Sequence, residues 1–142
     1  MPRLNTFLDP QSPTLTATGL LFMRVTAASL LLFIHGLPKL MDWSAELQRI
    51  EDPFGLGAPL TFGLAIFAEV VCPLLLMLGV AARLACLPVL AVLLVALVVV
   101  HSDWTLEQGQ FAWLLLALYG GLALTGPGRY SVAGLFWRNK VA

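Results

Sequence analysis

Four long apolar stretches, separated by short polar segments, dominate the pattern of this chain. A helix that crosses a bilayer needs about 20 mostly apolar residues, and each stretch is close to that length. The stretches are Ala17–Leu37, Pro59–Gly79, the residues between Arg83 and His101, and the residues between Gln110 and Arg129. The pattern therefore predicts an all-α fold, an integral membrane four-helix bundle with short loops.

The polar segments divide the chain into a central membrane domain and two tails. Residues 1–16, which contain three prolines, are expected to form a flexible cytoplasmic tail, and residues 133–142 a second cytoplasmic tail. The four-span domain covers residues 17–132. Its one longer connection, Asp42–Gly57, has room for a short surface helix from Trp43 to Ile50. Arg24 interrupts the first span and no small-residue cleavage site follows, so that span is not expected to be a removable signal peptide.

Composition supports the membrane interpretation and excludes one class of partner. Hydrophobic residues make up 59% of the chain and charged residues 11%, whereas a soluble domain has about 25% charged residues. The formal net charge is zero, and no basic patch occurs, so nucleic acid is not an expected partner. Cys72 and Cys86 lie inside apolar stretches and form no CxxC motif, which favours buried, inert thiols over a disulfide or redox pair.

The distribution of lysine and arginine predicts the orientation. One side of the membrane would carry five basic residues and the other only two, together with six acidic residues. The basic side has Arg3, Arg83, Arg129, Arg138 and Lys140; the acidic side has Lys39, Arg49, Asp42, Glu46, Glu51, Asp52, Asp103 and Glu107. Since basic loops stay inside, both termini are expected in the cytoplasm of a multi-pass protein of the cell inner (plasma) membrane.

Two charged residues lie deep within the predicted spans. Arg24 falls in the inner half of the first span and Glu69 near the midpoint of the second. A lone charge at such depth costs roughly 2.5–3.5 kcal/mol on insertion scales, which favours an Arg24–Glu69 salt bridge inside the bundle. The alternatives are that Glu69 handles protons, and that Arg24 extends to the cytoplasmic face.

A second polar cluster is expected near the outer surface. His35 and His101 end the first and third spans at similar depth, Lys39 follows His35 by one helical turn, and Glu107 and Gln110 open the fourth span. Histidine exchanges protons near neutral pH, so we assign His35, His101 and Glu69 as candidate catalytic residues. The candidate cofactor-binding residues are Arg24, Lys39, Glu107 and Gln110. The alternative is that all of these are ordinary polar residues at helix ends.

Quinone is the cofactor that would suit such a cluster, because its carbonyls need hydrogen-bond donors and a proton route. No haem, flavin or metal motif occurs in the sequence, and two histidines are too few for a closed zinc site, which needs four ligands.

The order and spacing of several short motifs resemble the DoxX family of membrane proteins. The matching pieces are Arg24, His35-Gly36-Leu37-Pro38-Lys39-Leu40, Phe67-Ala68-Glu69, Gly79 through Arg83, His101 and Gly126-Pro127-Gly128-Arg129-Tyr130-Ser131. The resemblance covers about residues 17 to 132. Family members often have a glutamate where this chain has Gln110, and many continue the last motif with Leu-Asp where this chain has Val132-Ala133.

The resemblance implies a quinone-linked oxidoreductase, or a subunit of a membrane redox complex, because the family is linked to a terminal quinol oxidase and to thiosulfate:quinone oxidoreduction. Other members accompany redox-stress or metal-handling systems, so a protein partner in a membrane redox or stress complex is expected. The alternative is a non-catalytic membrane anchor, assembly factor or accessory partner of another protein, since fold alone does not determine function.

Overall fold

In a computed structural model, residue 9 and residues 11–141 are described, and their fold is entirely helical. Six helices occur among these residues, and no strand does. The helices are α1 (Pro13–Met41), α2 (Trp43–Arg49), α3 (Ala58–Leu78), α4 (Ala82–Val100), α5 (Leu106–Thr125) and α6 (Val132–Val141). The predicted all-α bundle is confirmed.

Three of the helices, α1, α3 and α4, are long and apolar enough to cross a membrane. Helix α5 has 20 residues, about 30 Å at 1.5 Å per residue, but its first turns are polar. It packs against α4 along much of its length. The chain is therefore a multi-pass membrane protein, and the fourth crossing by α5 stays a prediction.

The helix bounds differ from the predicted ones mainly at the ends. Helix α1 starts at Pro13, a residue suited to the first turn of a helix, so the last part of the predicted tail 1–16 is helical. Residues 1–8 and 10 of that tail lie outside the described residues. The predicted tail 133–142 falls largely within α6, and Ala142 is outside the description. The predicted surface helix is confirmed as α2.

Small and aliphatic side chains fill the space between the four long helices. Leu76, Leu115 and the two cysteines are fully buried, and both thiols are free, as expected. The hydroxyl of Tyr119 on α5 donates to the Ala27 carbonyl of α1 at 3.2 Å. This bond satisfies the polar end of a fully buried phenol, so the core carries no cost at that position.

Each of α1, α3 and α4 contains one widened π turn. The turns are Leu32–Gly36, Phe67–Val71 and Ala96–Val100, and each is closed by an N–H bond to the fifth preceding carbonyl. Pro38 and Pro73 follow the first two turns. Since proline has no N–H and its ring crowds the carbonyl four residues earlier, a wider turn relieves that crowding. Such turns often occur at functional sites.

The π turns of α1 and α3 touch through Gly36. A β-carbon at Gly36 would lie 2.3 Å from the Glu69 carbonyl oxygen and 2.9 Å from Cγ2 of Val70. Because Pro73 cannot donate to that carbonyl, the oxygen is left facing α1. Glycine at position 36 therefore allows the two backbones to approach.

We expect Gly36→Val to push α1 away from α3 and to lower the free energy of unfolding by about 1–3 kcal/mol. Thermal unfolding in a fixed detergent measures the change. Gly63→Ala on α3 is the matched control, because nothing lies within 4 Å of its added β-carbon. A stable Gly36→Val protein would show that the helices are not in close contact there.

Two turns meet at the opposite end of the bundle. Gly79, with φ of 72°, ends α3, and a β-carbon there would lie 2.4 Å from Cβ of Ser131. Ser131 in turn donates to the Gly128 carbonyl at 2.7 Å and accepts from the N–H of Gly134 at 2.9 Å. The segment 126–131, which follows α5, is therefore packed onto the α3–α4 turn.

The longer loop between α2 and α3 is organised by Asp52. Its carboxylate accepts from the N–H groups of Leu56 and Gly57 and from the hydroxyl of Thr61. The bond from Thr61, followed by that from Gly57, holds the pKa of Asp52 below its usual value. Asp52 thus joins the loop to the first turns of α3.

Candidate functional site

A cavity of about 260 Å³ lies among α1, α3, α4 and α5, near the ends of α1 and α4. His35 on α1, Glu69 on α3 and His101 after α4 all line it. Its other lining residues are Leu31, Val89, Val92, Leu93, Ala96, Trp104, Gln108, Phe111 and Ala112. The three residues predicted to be catalytic are thus in one cavity, and each belongs to a π turn or directly follows one.

Glu69 forms its ion pair with Lys39. The ammonium Nζ lies 2.5 Å from Oε2 of Glu69, with the two side chains only 14% and 9% exposed. Helix α1 continues through Pro38 to Met41, which places Lys39 beyond His35 and above the close approach at Gly36. Lys39 thus reaches down from the helix end to meet a carboxylate within the bundle.

The predicted Arg24–Glu69 salt bridge is wrong. The guanidinium of Arg24 donates instead to the carbonyls of Pro127 and Tyr130, the latter at 2.8 Å, in the segment that follows α5. Arg24 is 1% exposed, and its Nε has no partner among the described residues. The side chain extends toward the end of the bundle at which α1 begins. Of the alternatives, the one in which Arg24 extends to the cytoplasmic face is closest to this arrangement. It does not line the cavity.

Both imidazoles are held by aromatic contacts. The ring of His35 lies 5.9 Å from that of Phe111 at an interplanar angle of 27°. The ring of His101 stacks on the Trp104 indole at 3.8 Å and 3°. The carboxylate of Glu69 and the ammonium of Lys39 are close enough for their charges to act on His35. Within the described part of the chain, no hydrogen bond is made by either imidazole. The ring nitrogens are therefore available to a ligand in the cavity.

The structure separates the remaining predicted residues from the cavity. Glu107 and Gln110 are exposed and do not line it. Trp104 and Gln108 do, and sequence reasoning missed both. The sequence did contain a signal for the position of Gln108 at the start of a helix. Thr105 and Gln108 have the spacing of a capping box, which the structure contains. Trp104 had no distinguishing signal, because tryptophan is generally enriched at membrane–water interfaces.

The cavity combines proton-exchanging groups with an apolar wall. Two imidazoles, one carboxylate and one carboxamide face a space otherwise lined by aliphatic and aromatic side chains, the usual character of a small-molecule site. Among the described residues, no three His, Cys, Asp or Glu side chains are grouped as a metal site would need. Fold and site together define a helical multi-pass membrane protein with a polar cavity inside the bundle.

Comparison with known families assigns this protein to one of them. The DoxX family matches residues 19–102, which include most of α1, all of α3 and α4, and eight of the residues that line the cavity. The chain belongs to this family. The match ends at Ser102, before α5 and the segment 126–131. No curated protein and no solved structure gives a significant match.

Proposed function

We propose that this DoxX family protein binds the headgroup of a quinone in the cavity and acts as a quinone-linked oxidoreductase or as a subunit of one. The observation that carries the proposal is the convergence of His35, Glu69 and His101, from three helices, on one cavity with free imidazole nitrogens. A quinone has two carbonyls, each of which needs a hydrogen-bond donor. Two imidazoles on opposite elements can supply one donor to each.

The size of the cavity limits the ligand to a small ring. Sites for drug-sized molecules have volumes of roughly 300–1,000 Å³, so a cavity of about 260 Å³ suits a single substituted ring. An isoprenoid tail would have to leave the cavity between helices and enter the lipid. The aliphatic residues that α4 contributes, such as Val92 and Leu93, give that exit an apolar lining.

The proton chemistry would depend on Glu69 and the imidazoles. Reduction of a quinone to its quinol takes up two electrons and two protons, and oxidation releases them. Lys39 binds Oε2 of Glu69, and no described residue binds Oε1, so that oxygen can accept a proton from the quinol or from His35. The electrons would come from, or go to, a partner protein or second substrate. This requirement favours a place in a membrane redox or stress complex.

We further propose that the protein lies in the cell inner membrane with both termini in the cytoplasm. The helices α1, α3, α4 and α5 alternate in direction, so Pro13 and Thr125 lie at the same end as Arg83. Since basic residues favour the cytoplasmic side, the cavity would open near the outer surface.

Replacing either histidine should weaken quinone binding. We expect His35→Ala and His101→Ala each to raise the Kd of a soluble quinone analogue about tenfold, because each removes one hydrogen bond from a desolvated carbonyl. Titration of the purified proteins in the same detergent, followed by tryptophan fluorescence, measures the Kd.

Gln110→Ala is the control, since Gln110 is exposed at the same end of the bundle but outside the cavity. Its Kd should match that of the unmodified protein. Equal affinity in all four proteins, with unchanged unfolding temperatures, would refute the quinone site. The non-catalytic role as an anchor or assembly partner would then be the better hypothesis.

A further inference from the structure

A second cavity, an open groove of about 400 Å³, lies at the opposite end of the bundle from the quinone site. The groove runs between the start of α4 and the segment that joins α5 to α6. It is lined by Ala81, Ala82, Arg83, Leu84, Pro127, Gly128, Ala133 and Gly134. Seven of the eight lining side chains are small or apolar, and Arg83 is the single charge.

Arg83 is held over the groove by the shape of the backbone beside it. A β-carbon at Gly126 would lie 3.0 Å from Nε and 3.2 Å from Nη2 of Arg83. The missing side chain at Gly126, whose φ is 82°, therefore makes room for the guanidinium. Arg83 is an exposed residue, and this contact places its guanidinium beside the groove.

No ion pair neutralises the positive charge at this end in the described part of the chain. The ion pairs found there are Lys39–Glu69 and Arg49–Glu46, both at the other end. Arg83, Arg129 and the buried Arg24 have no carboxylate partner among the described residues. Pro127, whose carbonyl accepts from the buried Arg24, itself lines the groove.

The position of the groove indicates which anion it would meet. It lies where α3 ends and α4 begins, at the membrane boundary of two spanning helices. Next to Arg83, the side chain of Leu84 is 68% exposed on the outer face of α4. A ligand in the groove would thus contact a cation at one end and a lipid-facing apolar surface at the other. This combination matches an amphiphile with an anionic head.

We propose that the groove binds the phosphate headgroup of an anionic membrane phospholipid, with Arg83 as the main contact and an acyl chain along Leu84. Basic pockets between spanning helices on the cytoplasmic side bind such headgroups in other membrane proteins. The small side chains of Ala81, Ala133 and Gly134 provide the space for the headgroup. The proposal does not depend on the quinone site.

The test is lipid binding to the purified full-length protein, measured by native mass spectrometry with phosphatidylglycerol and phosphatidylcholine. We expect a clear preference for phosphatidylglycerol, and Arg83→Gln should reduce its apparent affinity about fivefold, the effect of one basic residue at an anionic surface. Binding of phosphatidylcholine should not change. Arg49→Gln is the matched control, because it removes the same charge from the opposite end.

A second variant tests the groove rather than the charge. Ala133→Leu fills the space and leaves Arg83 in place, so it should also weaken phosphatidylglycerol binding. Each variant is first shown by thermal unfolding to be folded. If Arg83→Gln and Arg49→Gln lose equal affinity, or if the two lipids bind equally, the proposal is wrong. If inorganic phosphate alone displaces phosphatidylglycerol and stabilises the protein through Arg83, the occupant is free phosphate and the lipid assignment is overturned.

Discussion

Glu69→Leu is expected to lower the free energy of unfolding by about 3–5 kcal/mol, the usual cost of removing one partner from a buried ion pair. The cost arises because the Lys39 ammonium, 2.5 Å from the lost carboxylate and only 14% exposed, would remain in the bundle without a countercharge. Lys39→Met should be similarly destabilising, since it leaves the Glu69 carboxylate unpaired. Reversible unfolding of each variant in one detergent gives the values.

A double-mutant cycle identifies the partner. The pair Lys39→Met with Glu69→Leu should recover much of the loss, because two apolar side chains can replace a buried ion pair at little net cost. Arg24→Met with Glu69→Leu should instead be additive, because Arg24 binds carbonyls at the other end of the bundle. Coupling of Glu69 to Arg24, and additivity with Lys39, would restore the salt bridge that the sequence favoured.

The helices could be predicted because the bilayer imposes a length. Apolar stretches of about 20 residues appear directly in the sequence, and α3 differs from its predicted bounds by one residue at each end. The start of α1 was harder to predict from the sequence, because Pro13 suits both a flexible tail and a first helical turn. The π turns had no clear signal, since proline inside an apolar stretch is also compatible with an ordinary kink.

The ion pairs could not be predicted, because matched depth is a weak criterion. Glu69 was paired with Arg24 on the assumption that Lys39 stays at the interface, whereas a long lysine side chain extends into the bundle. Arg24 binds two backbone carbonyls. Every residue has such a carbonyl, so no residue type marks the partner.

The sequence predicted the height of the cavity along the bundle, but not which face of α5 lines it. His35 and His101 end two helices at the same height, and both line it. On α5 the predicted residue was Gln110, whereas Gln108 is the one that faces the space. Two positions on a helix are separated by about 200°, so these two glutamines face nearly opposite directions. The amphipathic pattern that normally fixes rotation is missing, because lipid and core are both apolar.

Arg24→Met is expected to lower the free energy of unfolding by about 2–5 kcal/mol and to release the segment 126–131. The guanidinium donates to the carbonyls of Pro127 and Tyr130 in two part-buried hydrogen bonds, and an acceptor left without a donor away from water costs about 1–3 kcal/mol. Arg24→Lys should restore only part of the stability, because one ammonium cannot match the fixed fork of a guanidinium that spans two acceptors. Limited proteolysis should show faster cleavage near Arg129 in Arg24→Met than in the unmodified protein. Arg129→Lys, a change at an exposed position in the same segment, should leave both stability and cleavage unchanged. Full stability with Arg24→Met would mean that the segment is held by Gly79 and Ser131 alone, and that Arg24 has another role.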